Sequence, residues 1–346
     1  MNGTKLKQQN AGTKVWDVIK GNPIAVILVL AAIVVGCVVD NFFSWGNLSN
    51  LLSNTAVRFL IALGVSGCLI TKGTDLSAGR QVGLAACISA GLQLTTNKLF
   101  PGLQILPIPV VLLCVLVACA MVGFVNGFFM AKFKLHPFIV TLSTQLIVYG
   151  LVLLFMQLGT NGGQTLSGMS EGYRNFIIKP LLTLKTSSGP VTVPRYVLYS
   201  TIITAIVWVI WNKTAFGKNM YAVGSNEEAA NVSGVNVSKT IILVFVMAGM
   251  LYGITGFMDA ARIASVNATT GLNYEADAIA ACVIGGISFV GGIGKVSGAI
   301  IGVLLLQIIF AGLNFLSVDA NYLYIVKGLI ILIACSIDMR KYLVRK

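Results

Sequence analysis

Long apolar runs alternate with short polar connections along almost the whole chain, and the runs have the length of membrane spans. About 20 residues of helix cross a hydrocarbon core of about 30 Å. Runs of that kind lie near 23–40, 48–72, 78–96, 105–131, 137–158, 194–212, 238–262, 274–292, 295–316 and 321–338. The pattern predicts an all-α polytopic membrane protein of about ten transmembrane helices, or eight full crossings if two segments are re-entrant. The third, eighth and ninth runs are interrupted by glycine and polar residues. They are expected to be broken or tilted helices, which membranes tolerate where irregular backbone is buried in protein or lines a cavity. Two polar connections are long, 159–193 and 213–238.

Composition agrees with this pattern. The 346 residues are 56% hydrophobic and only 10% charged, against about 25% charged in a soluble domain. The net charge of +13 would suit a nucleic-acid partner, but its distribution does not. With the N-terminus inside and the spans alternating, sixteen of the 24 Lys and Arg fall inside, Lys72 and Arg80 among them. Six fall outside (Lys98, Arg174, Lys179, Lys185, Arg195 and Arg262), and Arg58 and Lys327 lie within spans. Basic residues mark the cytoplasmic side, so both termini are expected there, with 1–22 a cytoplasmic segment of one transmembrane domain, 1–346. The basic start followed by an apolar run resembles a signal peptide. No A-x-A cleavage site follows, however, and the run continues past Cys37 of "VVGC", so an uncleaved first span is expected.

The chemistry of the chain is sparse. No G-x-x-x-x-G-K-[ST] pattern occurs: Phe289 and Asn212 stand where the first glycine would be needed. The seven cysteines lie in apolar runs without a C-x-x-C pair and read as small core residues, not metal ligands. The single His136 precedes Pro137 at the inner start of a span and lacks the partners of a general base. No hydrolase motif is present, and no catalytic or metal-binding residue is expected.

Polar groups inside the spans are the candidate functional residues, because burying charge in a membrane is costly. Arg58, Asp277 and Lys327 stand out. "TKGTDLSAGRQVGLAA" (71–86) adds Asp75, Arg80 and Gln81, with Asp75 and Ser77 as candidate helix caps. Asn126, Thr141 and Gln145 complete the candidates for a translocation path. "AACISAG" (85–91) echoes "AACVIGG" (280–286), each after a polar, acidic, glycine-containing segment, as in transporters built from two similar halves. Gly123-x-x-x-Gly127 and Gly249-x-x-x-Gly253 predict close helix packing. On the inner side, "GSNEEAANVSGVN" (224–236) reads as a short helix of about eight residues, with Ser225 and Glu228 as a capping box and Gly234 as a left-handed stop. A helix this short is marginal alone in water. It rests either on a partner or on the membrane surface.

These residues resemble a known family. "GTDLSAGRQVGLAA", "HPFIVTLSTQLIVYG", "VGSNEEAANVSGVNV", "YEADAIAACVIGGISFVGGIGKVSGA" and "YLYIVKGLIILIA" are similar to the permease subunit of the ribose/galactose class of bacterial ABC sugar importers, nearest its galactose/methyl-galactoside branch. The likeness runs in order from about Asn47 to the C-terminus, apart from the outer loop 159–193 and His136. It implies a vitamin-B12-importer-like permease fold in the bacterial inner membrane. It also implies a second permease copy, an ABC ATPase subunit that carries the ATP and Mg, and an extracytoplasmic sugar-binding protein. By the same resemblance, Gly224, Ser225, Glu227, Glu228, Ala229, Ala230, Ser233 and Gly234 would form the coupling helix that docks on the ATPase. An ion-coupled secondary transporter, a ribose-specific permease and a membrane scaffold are the rival readings.

Overall fold

The computed structural model describes residues 44–159, 161–186 and 189–343, together with residues 30, 33, 36, 37 and 42. Apart from those isolated positions, the first expected span lies outside the described residues. The first two helices are α1 (Trp45–Ile70) and α2 (Ala78–Gln93), followed by α3 (Ile108–Phe133) and α4 (Pro137–Met156). With inner and outer sides named as the basic residues predict, an outer segment carries α5 (Glu171–Ile178), and α6 (Arg195–Lys213) then returns to the inner side. Two short helices follow, α7 (Ala215–Ser225) and α8 (Glu227–Val232). The last four are α9 (Val237–Ile263), α10 (Tyr274–Ile284), α11 (Val296–Phe315) and α12 (Ala320–Leu343). Among the described residues, six helices are long and apolar enough to cross a membrane: α1, α3, α4, α6, α9 and α11.

The sequence signals explain the helix ends. Ser44 caps α1 by accepting from the Asn47 N–H at 3.3 Å. Prolines open α3 and α4, where a missing N–H costs nothing. His136, at the head of α4, caps it: its Nδ1 accepts from the Phe138 N–H at 3.4 Å. The long helix α9 packs against α1, α2 and α3. At the α3–α9 crossing a methyl on Gly123 would overlap the Phe245 carbonyl, and one on Gly249 the Cys119 carbonyl. The two G-x-x-x-G motifs are thus the mutual contact that brings these backbones together.

The interrupted runs divide as follows. The run at 295–316 forms an ordinary helix of 20 residues. Those at 78–96 and 274–292 form helices of only 16 and 11 residues, about 24 and 17 Å long, too short to cross. Each follows a long helix that ends on a left-handed residue: Lys72 (φ 61°) after α1 and Ala264 (φ 61°) after α9. Ile70 lies on the inner side, where its carbonyl accepts from the Gly292 N–H at 2.8 Å. From there 71–77 climbs to the start of α2. The mirror segment, 264–273, starts on the outer side. There β4 (Ser265–Val266) pairs antiparallel with β1 (Leu166–Ser167), and the chain then descends to the start of α10. The two short helices meet at their N-termini: a methyl on Gly79 would overlap the Glu275 carboxylate and the Gly271 carbonyl. Helices α1–α4 and α9–α12 therefore share one pattern in opposite directions, as the echo of residues 85–91 in 280–286 suggested.

The outer connection is structured, which its polar sequence did not reveal. Besides β1 and α5 it holds the antiparallel hairpin of β2 (Pro180–Thr186) and β3 (Gly189–Pro194). The Ser49 hydroxyl ties that hairpin to α1 by donating to the Thr192 carbonyl at 2.7 Å.

Candidate functional site

The start of α2 gathers four of the path candidates. Asp75 Oδ1 accepts from the Ser77 N–H at 2.9 Å and from the Ser77 hydroxyl at 2.6 Å. Ser77 Oγ in turn accepts from Gln81 Nε2 at 2.9 Å and Asn126 Nδ2 at 3.0 Å. That uses the one donor and two lone pairs of a hydroxyl. Asn126 Oδ1 accepts from the Thr144 hydroxyl at 2.6 Å, and Thr141 donates to the Thr74 carbonyl at 3.1 Å. Asn126 sits seven residues before α3 ends, about 10 Å from its inner end, so this cluster lies within the membrane body. Asp75, Ser77, Gln81, Asn126 and Thr141 are all fully buried. They brace the helix break. The expected cap is corrected: Ser77 makes no side-chain cap bond to α2, because its hydroxyl is committed to Asp75. Asp75 Oδ2 and Gln81 Oε1 have no partner among the described residues. Gln145, one turn beyond Thr141 on α4, is half-buried.

Arg80 points elsewhere. Its guanidinium donates to the Ala268 carbonyl at 3.0 Å and covers the Tyr149 ring at 4.2 Å. It therefore bridges α2 to the descending segment of the other half, which corrects its assignment to the inner surface.

The three charges within the spans converge. Asp277 on α10 accepts from Lys327 of α12 at 2.9 Å and from Arg58 of α1 at 3.3 Å. Like charges kept Arg58 and Lys327 from pairing with each other, and the shared carboxylate serves both. Arg58 also lies over the Tyr274 ring at 3.7 Å, and Lys327 over Phe310 at 4.7 Å. Those aromatic faces help carry the surplus positive charge. The Tyr274 hydroxyl donates to Asp259 at 3.0 Å, and Asp259 pairs with Arg262 at 2.8 Å. The candidates Arg58 and Asp277 thus belong to an ion-pair network that joins α1, α9, α10 and α12.

On the inner side the capping box is replaced. Ser225 closes α7 and its hydroxyl donates to the Tyr221 carbonyl at 2.9 Å. The cap of α8 is Asn226, extended at φ −159°, ψ 113°, whose Oδ1 accepts from the Ala229 N–H at 3.0 Å. The helix is six residues long, not eight, because α7 continues through Ser225. Its end is as expected. Gly234 adopts φ 83°, and the Val235 N–H reaches the Ala230 carbonyl at 3.0 Å, closing a Schellman motif. Ala230 is buried, whereas Glu228, Ala229, Ser233 and Gly234 are exposed. Glu227 is half-buried and pairs with Lys134 at 3.4 Å. Val232, which sequence reasoning passed over, is 88% exposed. An apolar side chain standing that far out at the tip of a helix is the signal that could have found this surface. Beside it lies an open concavity of about 740 Å³ lined by Lys134, Glu228 and Asn231 among others.

Gly224 connects this surface to the spans. A methyl there would overlap the Ile70 carbonyl at the end of α1. Tyr221 donates to the Gly294 carbonyl at 2.9 Å, and Lys72 Nζ lies 3.5 Å from the Ser225 carbonyl. Burial pushes the Tyr221 phenol above its ordinary range. The short helices, the end of α1 and the loop before α11 therefore form one joint. α8 is thus joined to α1 by these contacts and to α9 directly along the chain.

A family model described as "Branched-chain amino acid transport system / permease component" matches residues 47–335. The chain belongs to this family. It is a multi-pass permease of the bacterial inner membrane. It is 42% identical over 336 residues to the galactose/methyl galactoside import permease protein MglC of Haemophilus influenzae, covering 96% of this chain and 98% of that one. The Escherichia coli protein of the same name is 42% identical over 330 residues, 94% of this chain and 96% of that protein. The ribose import permease protein RbsC of Escherichia coli is 33% identical over 329 residues, 95% of this chain and 96% of its own. No solved structure matches.

Proposed function

We propose that the permease is the channel-forming subunit of an ATP-driven importer for galactose and methyl galactosides. The observation that carries this reading is the 42% identity to permeases named for those sugars, across nearly their whole length, against 33% to the ribose permease. In this reading an ABC ATPase subunit docks on α8 and holds the ATP and Mg, and this chain binds neither. Val232, Glu228, Ala229 and Ser233 make contact, while Gly224, Ala230 and Gly234 fix the helix geometry. An extracytoplasmic binding protein delivers sugar at the outer face, and two copies of the chain enclose the path. The span at 23–40, α6 and the two four-helix halves give ten membrane segments in a vitamin-B12-importer-like fold. The sugar is uncharged, so the path requires hydrogen-bonding groups of modest affinity. ATP binding to the partner shifts the balance between inward- and outward-open states because it favours one of them, and the joint at Gly224 transmits the shift.

Reconstitution with the ATPase and the binding protein tests this. Labelled galactose should enter vesicles only with ATP, and ribose should compete poorly. Glu227→Arg, Val232→Asp and Gly234→Pro should each lower sugar-stimulated ATP hydrolysis at least several-fold. Normal coupling in all three would remove α8 from the ATPase interface. Uptake driven by an ion gradient without ATP would remove the whole reading.

A further inference from the structure

An entirely apolar groove of about 340 Å³ opens on the outer half of the protein between α3, α6 and α9, beneath α5. Leu112, Phe176, Tyr199, Ile202, Ile203 and Ile254 line it. The one polar tip in this lining is already used: the Tyr199 hydroxyl donates to the Phe176 carbonyl at 3.1 Å, and the two rings stack at 5.3 Å. Nothing in the groove can hydrogen-bond a polar ligand. Its depth is set by α6. Tyr199 to Ile203 lie about 6–12 Å below Arg195 at 1.5 Å per residue, within the hydrocarbon of the outer leaflet.

The upper rim differs in chemistry. Arg195 opens α6 one turn above Tyr199, and Lys179 ends α5 two residues after Ile177, another lining residue. The two meet: the Arg195 N–H donates to the Lys179 carbonyl at 3.1 Å. Lys179 is exposed and Arg195 half-buried, and neither side chain is in an ion pair among the described residues. Two cations on the side that carries few of them, above a groove with no polar lining, match a ligand with an anionic head and an alkyl tail. A helix of a second copy fits poorly. It is about 10–12 Å across, and α5, anchored to α9 by the Tyr173 hydroxyl on the Phe257 carbonyl, closes the outer end.

We propose that this groove binds one acyl chain of an anionic phospholipid of the outer leaflet, with the phosphate held at Lys179 and Arg195. The site lies away from α8 and from the helix breaks and does not depend on which sugar is carried. The test uses the full-length chain with its co-purifying subunits. It is exchanged into bilayer discs of equal phosphatidylglycerol and phosphatidylcholine with matched chains, and the retained lipid is read by native mass spectrometry. The unaltered protein should retain phosphatidylglycerol in several-fold excess. Ile203→Trp, which fills the groove, should lose that retained lipid. Lys179→Gln with Arg195→Gln should lose only the excess, keeping both lipids equally. Equal retention by the unaltered protein overturns the proposal, as does an undiminished excess in the Lys179/Arg195 variant, which leaves the packed core untouched. Efficient disulfide formation between copies through Ile202→Cys would instead assign the groove to a second chain.

Discussion

The two helix breaks face each other near the centre of the protein, yet they are held by different chemistry. The break at 71–77 is braced by a compact set of fully buried groups around one serine hydroxyl, with Asp75 as its single acid. The break at 264–273 is held by ions, from Arg262 and Asp259 through Tyr274 to Arg58, Asp277 and Lys327. The first arrangement depends on short-range geometry and has little freedom to slip. The second depends on charge, which acts over longer distances and tolerates some displacement of α10 and α12. If one half moves during transport, the ion-held half is better suited to do so.

The largest effect should come from the charged side. Asp277→Asn leaves Arg58 and Lys327 unpaired within the membrane, and breaking such a pair costs about 3–5 kcal/mol. A strong fall in the melting temperature of the assembled protein is expected, and replacing all three residues by apolar ones should recover most of it. Gly79→Ala drives a methyl into the Glu275 carboxylate and the Gly271 backbone, pressing the two breaks apart. Overpacking of this kind costs about 1–3 kcal/mol, and thermal unfolding should register it. At the break of 71–77, Ser77→Ala strips Asp75, Gln81 and Asn126 of a shared partner, a loss of about 1–3 kcal/mol. Were Ser77→Ala to cost as much as Asp277→Asn, the contrast between the two breaks would fail. The smallest change is Tyr274→Phe, which keeps the ring beneath Arg58 and removes one bond to the carboxylate of Asp259, for about 1.5 kcal/mol. Combined with Asp277→Asn it should be non-additive if the network acts as a unit, which a double-mutant cycle would measure.

Much of this was legible in the chain. The long spans, the G-x-x-x-G contacts and the stop at Gly234 follow from the length of the apolar runs and the tolerance of glycine for close approach and positive φ. The breaks were visible as interruptions, and Asp75, Gln81, Asn126 and Thr141 were singled out as polar residues in apolar surroundings. Ser77 was read as a helix cap rather than as the centre of that cluster, and Thr144 was not singled out, because a hydroxyl inside a helix usually bonds its own backbone, as Thr144 also does to the Val140 carbonyl. The helical outer segment at 171–178 and the hairpin after it were missed, since polar sequence there conveys exposure but not pairing.

The sequence alone determined which segments are long and apolar enough to cross a membrane and where backbones must touch, since these depend on length, hydropathy and local backbone preference. Only the tertiary structure decided where the polar groups within them found partners. Arg58 and Asp277 are 219 residues apart in the chain, and no local pattern encodes a contact at that separation. The cap of α8 was decided in the same way. Ser225 and Asn226 are both good caps by composition, and the choice fell to Asn226 because packing of Gly224 against Ile70 keeps Ser225 within the preceding helix.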